Sequence, residues 1–357
     1  MADHALVAEK DAERGQEMRL AWLRDYAALP ADRDVPVTRF TTKHDDAAQV
    51  IGYNKVAFIF HMLKGELGEA TFAAALRLFW QRHRFGVAGW TDVRRAFEAG
   101  SGRDLGWFFE QWVARSGAPR VRLARAGVER LTDRDGYRLR FTVGQDQPTY
   151  RLTIPVVIET PAGRRRHRIV LEGAETTVTL DVDARPLGLH IDPEHDLFRR
   201  LLPGEAPPIL RDVTLASNVV TVVAAADQAM RRVALQLAER LLDTPVRLNP
   251  AASTALKAAP VLIIGATREV EKLLARHGLA GVPDNLANRG TSRVWTAYRP
   301  NDHPLLVVAA DDIQALQALL RPLPHYGAKS YLVCDGRRAV EKGTWPATSS
   351  PLSHRFD

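Results

Sequence analysis

The chain has 357 residues, enough for two or three domains that each bury a core. Hydrophobic residues make up 46% and charged residues 25%, ordinary for a globular protein, and a net charge of +7 is too mild to argue for nucleic acid as a partner. The single cysteine, Cys334, excludes an internal disulfide and a cysteine-built zinc cage. No apolar run approaches 18 residues, so the sequence predicts no transmembrane segment in this chain. The opening residues lack the basic and apolar regions of a secretory signal, which leaves localisation open between cytoplasmic and membrane-associated.

The expected fold class is multidomain α+β: a helical segment, then an antiparallel β-sandwich, then a small α/β domain. Residues 1–118 read as helical. After Glu69, apolar residues at Phe72, Ala75, Leu76, Phe79 and Trp80 follow the stripe of a buried helix face. Trp90, Trp107 and Trp112 read, with Trp80, as packing between helices. The polar, Pro-bearing stretch from Asp32 to Asp46 predicts a loop leading into a helix that begins near Tyr53. Asp104 is placed to cap a helix with Leu105, Phe108, Phe109, Trp112 and Val113 on one face, stopped by Gly117 and Pro119.

From Arg120 the period changes from 3.6 to 2. Tyr137, Leu139, Phe141 and Val143 alternate with polar residues, as do Leu152, Ile154, Val156 and Ile158; similar short runs end at Leu171, Val182 and Ile191. A β-sandwich over 119–202 is expected. Pro161-Ala162-Gly163 marks a hairpin tip beside the cluster Arg164-Arg165-Arg166-His167, which reads as solvated. Residues 203–214, rich in proline around Pro203-Gly204-Glu205-Ala206-Pro207-Pro208, read as a linker. Across 215–357, apolar strands at Val219–Val223, Pro260–Ile264, Pro304–Ala309 and Lys329–Cys334 alternate with helical patterns, the grammar of an α/β domain with a partly parallel sheet. Gly265-Ala266-Thr267 opens one of those helices but supplies only the first glycine of a dinucleotide fingerprint, and Asp311 reads as the cap of the next.

The residues most suggestive of chemistry are Gly52-Tyr53-Asn54-Lys55-Val56-Ala57, then Leu67-Gly68 with Phe72, then Gly102-Arg103-Asp104-Leu105-Gly106-Trp107-Phe108-Phe109, and finally Gln111-Trp112-Val113-Ala114-Arg115-Ser116-Gly117-Ala118-Pro119. Their order and spacing resemble the helical segment that follows the zinc site in the membrane alanyl aminopeptidase family of gluzincin zinc metallopeptidases. The run Ile191-Asp192-Pro193-Glu194-His195-Asp196-Leu197-Phe198-Arg199-Arg200 extends the resemblance, so that it covers about residues 1–210. The opening Met1-Ala2-Asp3-His4-Ala5-Leu6 resembles the stretch just after the family's third zinc ligand. No His-Glu-x-x-His occurs in the sequence.

The resemblance implies a C-terminal portion of an aminopeptidase-like protein, with zinc the cofactor of the complete family and none bound by this chain alone. Tyr53 matches the family's catalytic tyrosine through Tyr53-x-Lys55-x-Ala57, with Val56 where the family has glycine. In the family that phenol donates a hydrogen bond to the oxyanion of the tetrahedral intermediate, a role suited to a group that stays protonated at neutral pH. The implied substrate is a peptide, once a zinc-bearing domain completes the site; substrate-binding residues are not assigned. The alternative is a non-catalytic interaction module, docking a protein partner on an exposed helical face. A weaker third reading makes the α/β domain a nucleotide-binding or hydrolytic unit. His44-Asp45-Asp46 and His190-x-Asp192-x-Glu194-His195 carry ligand types at short spacing, but are read as a cap and a turn, so no metal ligand is assigned.

Overall fold

A computed structural model describes residues 2–43, 45–202, 204–248, 259–299, 303–347 and 350–356. The chain is mixed α+β and divides into two compact units, one of Met1–Tyr26, Arg33–Glu205 and Ser349–Asp357, the other of Ala27–Asp32 and Ala206–Thr348.

The first unit opens with α1 (Ala2–Lys10) and α2 (Ala12–Ala27). A helix then starts at Asp46, seven residues before Tyr53 and so earlier than the sequence predicts. Asp45 is its cap, its carboxylate accepting from the Ala48 amide at 2.6 Å. This helix runs continuously as α3 (Asp46–Gln49), a π-helical turn (Val50–Lys55) and α4 (Val56–Leu67). Helices α5 (Glu69–His83), α6 (Trp90–Ser101) and α7 (Gly106–Phe109) follow, the last continuing into a second π turn, Glu110–Ala114.

The predicted α5 stripe is only half buried. Phe72 and Ala75 lie in the core, with Ala75 so close to Gly100 of α6 that a Cβ on that glycine would come within 2.9 Å of its methyl. Beyond this crossing the helix leaves its neighbour. Leu76 and Trp80 are exposed, Trp80 by 61%, so Trp80 is not the core residue its spacing predicts. Trp112 is buried, while Trp90 and Trp107 are half-buried.

Two antiparallel sheets complete this unit. One holds β1 (Val121–Arg130), β2 (Tyr137–Gln145) and β5 (Glu175–Val182) in the order β1-β2-β5. In the other, β3 (Leu152–Thr160) lies between β4 (Gly163–Leu171) and β6 (Gly188–Ile191), and β6 also pairs with a short strand near the chain's end, Ser353–Arg355. The alternating residues Leu139, Phe141 and Val143 of β2 and Leu152, Ile154, Val156 and Ile158 of β3 are buried, as their period requires.

The second unit carries α8 (Arg211–Thr214), β7 (Val220–Ala224), α9 (Gln228–Leu241), β8 (Val261–Ala266), α10 (Thr267–Arg276), β9 (Ser292–Tyr298), β10 (Pro304–Ala310), α11 (Ile313–Ala318), β11 (Tyr331–Asp335) and β12 (Arg338–Gly343). Its six-stranded sheet runs β12-β11-β9-β10-β8-β7, with β7, β8, β10 and β11 running one way and β9 and β12 the other. Both faces are buried: Leu262 and Ile264 pack with α9 and α11, Val261 and Ile263 with α10, which is why β8 reads as an uninterrupted apolar run. A Cβ on Gly265 would lie 1.9 Å from the Ala224 carbonyl oxygen, so glycine is needed for the approach of β7 to β8. Cys334 is buried in β11, and burial pushes its thiol up to about 11.

Candidate functional site

Tyr53 sits in the π turn of the α3–α4 helix, and its side chain is 56% exposed while both following residues, Asn54 and Lys55, are buried. A π turn inserts one residue into the helical register and so redirects the side chains that follow. On this turn the tyrosine faces outward, and Asn54 and Lys55 face into the protein.

The inward residues are anchored. Asn54 donates from Nδ2 to Asp25 Oδ2 at 2.9 Å. Lys55 Nζ donates to the carbonyls of Arg115 and Gly117, both at 3.4 Å, and lies 5.8 Å from the ring centre of Tyr26 and 5.7 Å from that of Phe198. Burial pulls its ammonium down to about 8, against the opposing pull of the Asp34 carboxylate. Asp34 Oδ2 in turn accepts from the Tyr26 hydroxyl at 2.5 Å and the Gly117 amide at 3.0 Å. Burial and the Asp34 carboxylate both raise the Tyr26 phenol, which stays protonated. Thus two parts of the motif that are 60 or more residues apart, the Tyr53 turn and the Arg115–Gly117 segment, are joined by one buried lysine.

On its outward side Tyr53 meets Phe40, the two rings edge to face at 5.8 Å. Phe40 also fills the space above Gly52: a Cβ there would come 2.2 Å from Phe40 Cε2. Glycine at position 52 is therefore a packing requirement, and Val56, where the family it resembles has glycine, sits half-buried in helical conformation.

Asp34, Tyr26 and Phe40 were not singled out by the sequence. Asp34 and Phe40 lie in a polar loop whose only legible signal is proline and acid content, and nothing local announces their partners in the helix. Asp104 accepts from the Gly106 amide at 2.8 Å, bracing the start of α7.

The candidate metal residues go elsewhere. His44 lies outside the described residues, and Asp45 serves as a cap. In the second group, Asp192 is buried and pairs through Oδ2 with Arg199 Nε at 2.9 Å, while its Oδ1 accepts from the amides of Asp196 and Leu197. Arg199 also grips Glu205 through both terminal nitrogens. His190 contacts Ser353 and Glu159, Glu194 pairs with Arg166, and burial holds His195 down at about 4. In the turn 191–200 the carboxylates are all paired, partly by residues outside it, while His195 Nδ1 is buried with no partner among the described residues. Among the described residues no group of three His, Cys, Asp or Glu side chains is placed to hold a metal ion, so the donors present do not fit the zinc that the resemblance implies.

In the second unit, Asp312 and not Asp311 caps α11, its carboxylate accepting from the Ala315 amide at 2.8 Å. Asp311 is drawn instead to Arg293 and Thr267, so the carboxyl ends of β8 and β10 are tied to each other.

No family model matches the chain. Aminopeptidase N of Streptomyces lividans is 31% identical over 143 residues, a match spanning 37% of this chain and 16% of that protein. Tricorn protease-interacting factor F2 of Thermoplasma acidophilum is 26% identical over 149 residues, or 41% of this chain and 18% of that protein. Aminopeptidase N of Lactococcus lactis is 31% identical over 71 residues, 20% of this chain and 8% of its own length. Among solved structures, Legionella pneumophila aminopeptidase A in complex with aspartic acid aligns with a TM-score of 0.36 and 17% identity, over 60% of this chain and 24% of that one. Over part of its length the chain is thus a distant homologue of proteins named aminopeptidase N and tricorn protease-interacting factor F2, and it matches less than a fifth of the first two.

Proposed function

We propose that this chain contributes to aminopeptidase-like hydrolysis of the N-terminal peptide bond by presenting the Tyr53 phenol as an oxyanion donor. The observation that carries the reading is the Tyr53 turn: an exposed phenol on a π turn, held from behind by Lys55 and from the side by Phe40. A donor fixed before the reaction stabilises developing negative charge without reorganising, and removing one such donor typically costs on the order of 10²–10³ in turnover. The partial matches to aminopeptidase N support the same reading. Because no group of donors among the described residues fits zinc, this chain supplies neither metal nor activated water in this reading, and the remaining catalytic groups come from a complement. Purified chain is expected to bind zinc below one equivalent and to leave N-terminal amino-acid p-nitroanilides intact. Chelator-sensitive release of nitroaniline by the pure chain would contradict the proposal.

A second reading, a non-catalytic docking module, is favoured by one observation. Trp80 and Phe85 meet edge to face at 6.2 Å at the far end of α5, where Phe85 is 97% exposed and Val87 is fully so. Exposed aromatic patches of this kind suit a protein partner. If docking is the function, Trp80→Ser combined with Phe85→Ser should abolish co-purification of a native partner, while Tyr53→Phe leaves it unchanged.

A further inference from the structure

Beyond its crossing with α6, the end of α5 and the loop 84–89 that joins the two helices carry no carboxylate. From Ala70 to Thr91 the sequence has no Asp or Glu. The acids that bracket this stretch are committed: Glu69 pairs with Lys64 at 2.7 Å, and Asp92 accepts from the Gly89 amide at 2.9 Å. Within it, Arg77, Arg82 and Arg84 are exposed and have no carboxylate partner among the described residues.

The same tip exposes large apolar side chains. Every residue from Arg84 to Gly89 is exposed, and the side chains of Phe85 and Val87 stand almost wholly in water. Trp80, in the last turns of α5, meets Phe85 edge to face. Phe85 also has left-handed backbone, with φ 61°, just past the helix end, a position that usually falls to glycine or asparagine. A bulky residue there costs conformational energy and recovers none by packing, so the fold does not account for its presence.

We propose that this tip seats Trp80, Phe85 and Val87 in the interface of an anionic lipid bilayer, with Arg77, Arg82 and Arg84 on the headgroups. Charge and extent select this occupant over the others. A second copy of the chain would bring the same three cations against themselves. A protein, the occupant in the docking reading, usually needs a complementary surface of roughly 20–30 residues, far wider than this tip. A bilayer offers negative charge above an apolar layer and requires no matching shape. Aromatic rings suit that boundary, and arginine stems lie along it with the guanidinium in water.

The proposal is independent of the Tyr53 reading, because its test measures vesicle binding and not hydrolysis. The full chain is sedimented with phosphatidylcholine vesicles containing about one-third phosphatidylserine, at about 0.1 M salt. It should bind these about a hundredfold more tightly than phosphatidylcholine alone, about fivefold for each arginine. Arg77→Gln, Arg82→Gln and Arg84→Gln together should remove that preference. The same change at Arg164, Arg165 and Arg166 of β4 takes away equal charge and should leave it intact. Phe85→Ser with Val87→Ser should weaken binding at least about tenfold. All these residues are exposed, so the variants should keep the parent's unfolding midpoint. A nitroxide on Ala88→Cys, with Cys334 buried and so unlabelled, should become shielded from an aqueous relaxing agent when vesicles are added. Equal binding to the two lipids, loss of the preference in the β4 variant, tip variants that bind like the parent, or a nitroxide that stays in water would each overturn the proposal. Failure to bind vesicles, with a native protein still captured through Phe85 and Val87, would overturn it in favour of the docking reading.

Discussion

Gly52 lies against the ring of Phe40, with room for a hydrogen and none for a methyl: a Cβ would fall within 2.2 Å of Phe40 Cε2 and 2.3 Å of Cδ2. The contact locks the Asp32–Asp45 loop onto the turn that carries Tyr53, and the same Phe40 ring supports the tyrosine from its edge.

Gly52→Ala should therefore destabilise the chain by about 1–3 kcal/mol, the usual range for overpacking, although alanine is the better helix former. Phe40→Ala in the same chain should return much of that loss, because it removes the obstructing ring. Urea unfolding of the two single variants and the double variant measures the coupling; additive losses would mean that the contact is not the cause.

Lys55 predicts a pH dependence with a definite sign. Its folded pKa, about 8, lies below the 10.5 of an ordinary lysine, so between these values the unfolded chain holds the proton more tightly. Stability from this residue is lowest where both states are charged, below pH 8, and rises as pH passes from about 8 toward 10.5. Relative to Lys55→Met, the parent should gain about 2 kcal/mol between pH 7 and 9.5, taking 1.4 kcal/mol per pH unit above the folded pKa. Unfolding curves of both proteins at the two pH values give the difference directly. A difference, parent minus variant, that stays constant or falls with rising pH would show that the lysine is not buried in its charged form.

Arg199 joins Asp192 and Glu205 in a group of three charges that are all buried. Arg199→Met leaves two buried carboxylates facing one another and should cost about 3–5 kcal/mol. Asp192→Asn together with Glu205→Gln in that background should recover part of the loss by removing the uncompensated charges. Denaturant midpoints of the three proteins test this, and a loss under about 1 kcal/mol would place the arginine in water.

The sequence made the layers legible where burial is one-sided and periodic. Strands β2 and β3 follow strict alternation, and β8 shows the unbroken apolar run of a sheet covered on both faces. Strand β1 escaped because its register shifts between Leu123 and Arg125 and most of it faces solvent, so no period of 2 survives. The strand Ser353–Arg355 was invisible for a different reason: three exposed residues join β6 from more than 150 residues away. Trp80 misled because a heptad-like stripe says which side of a helix is apolar, not how far along its length the neighbouring helix continues.

At the candidate site the motif residues were legible by resemblance, and their supports were not. Tyr53 and Lys55 stand in a recognisable string. Asp34 is 83 residues from the Gly117 amide it accepts, a pairing set by the fold and by no local pattern. The exposed Tyr53 phenol and the buried Lys55 ammonium, two positions apart, lie on opposite sides of the helix, as residues at that spacing do, whereas the π turn that carries them is announced by no residue preference.

The most direct test of the central claim places residues 1–210 of this chain in Streptomyces lividans aminopeptidase N, in place of its matching segment, and measures leucine p-nitroanilide hydrolysis with Tyr53 and with Tyr53→Phe. If Tyr53 holds the oxyanion, the substitution should lower kcat on the order of 10²–10³-fold with little change in KM. An active chimera whose kcat is unchanged by Tyr53→Phe would contradict that role.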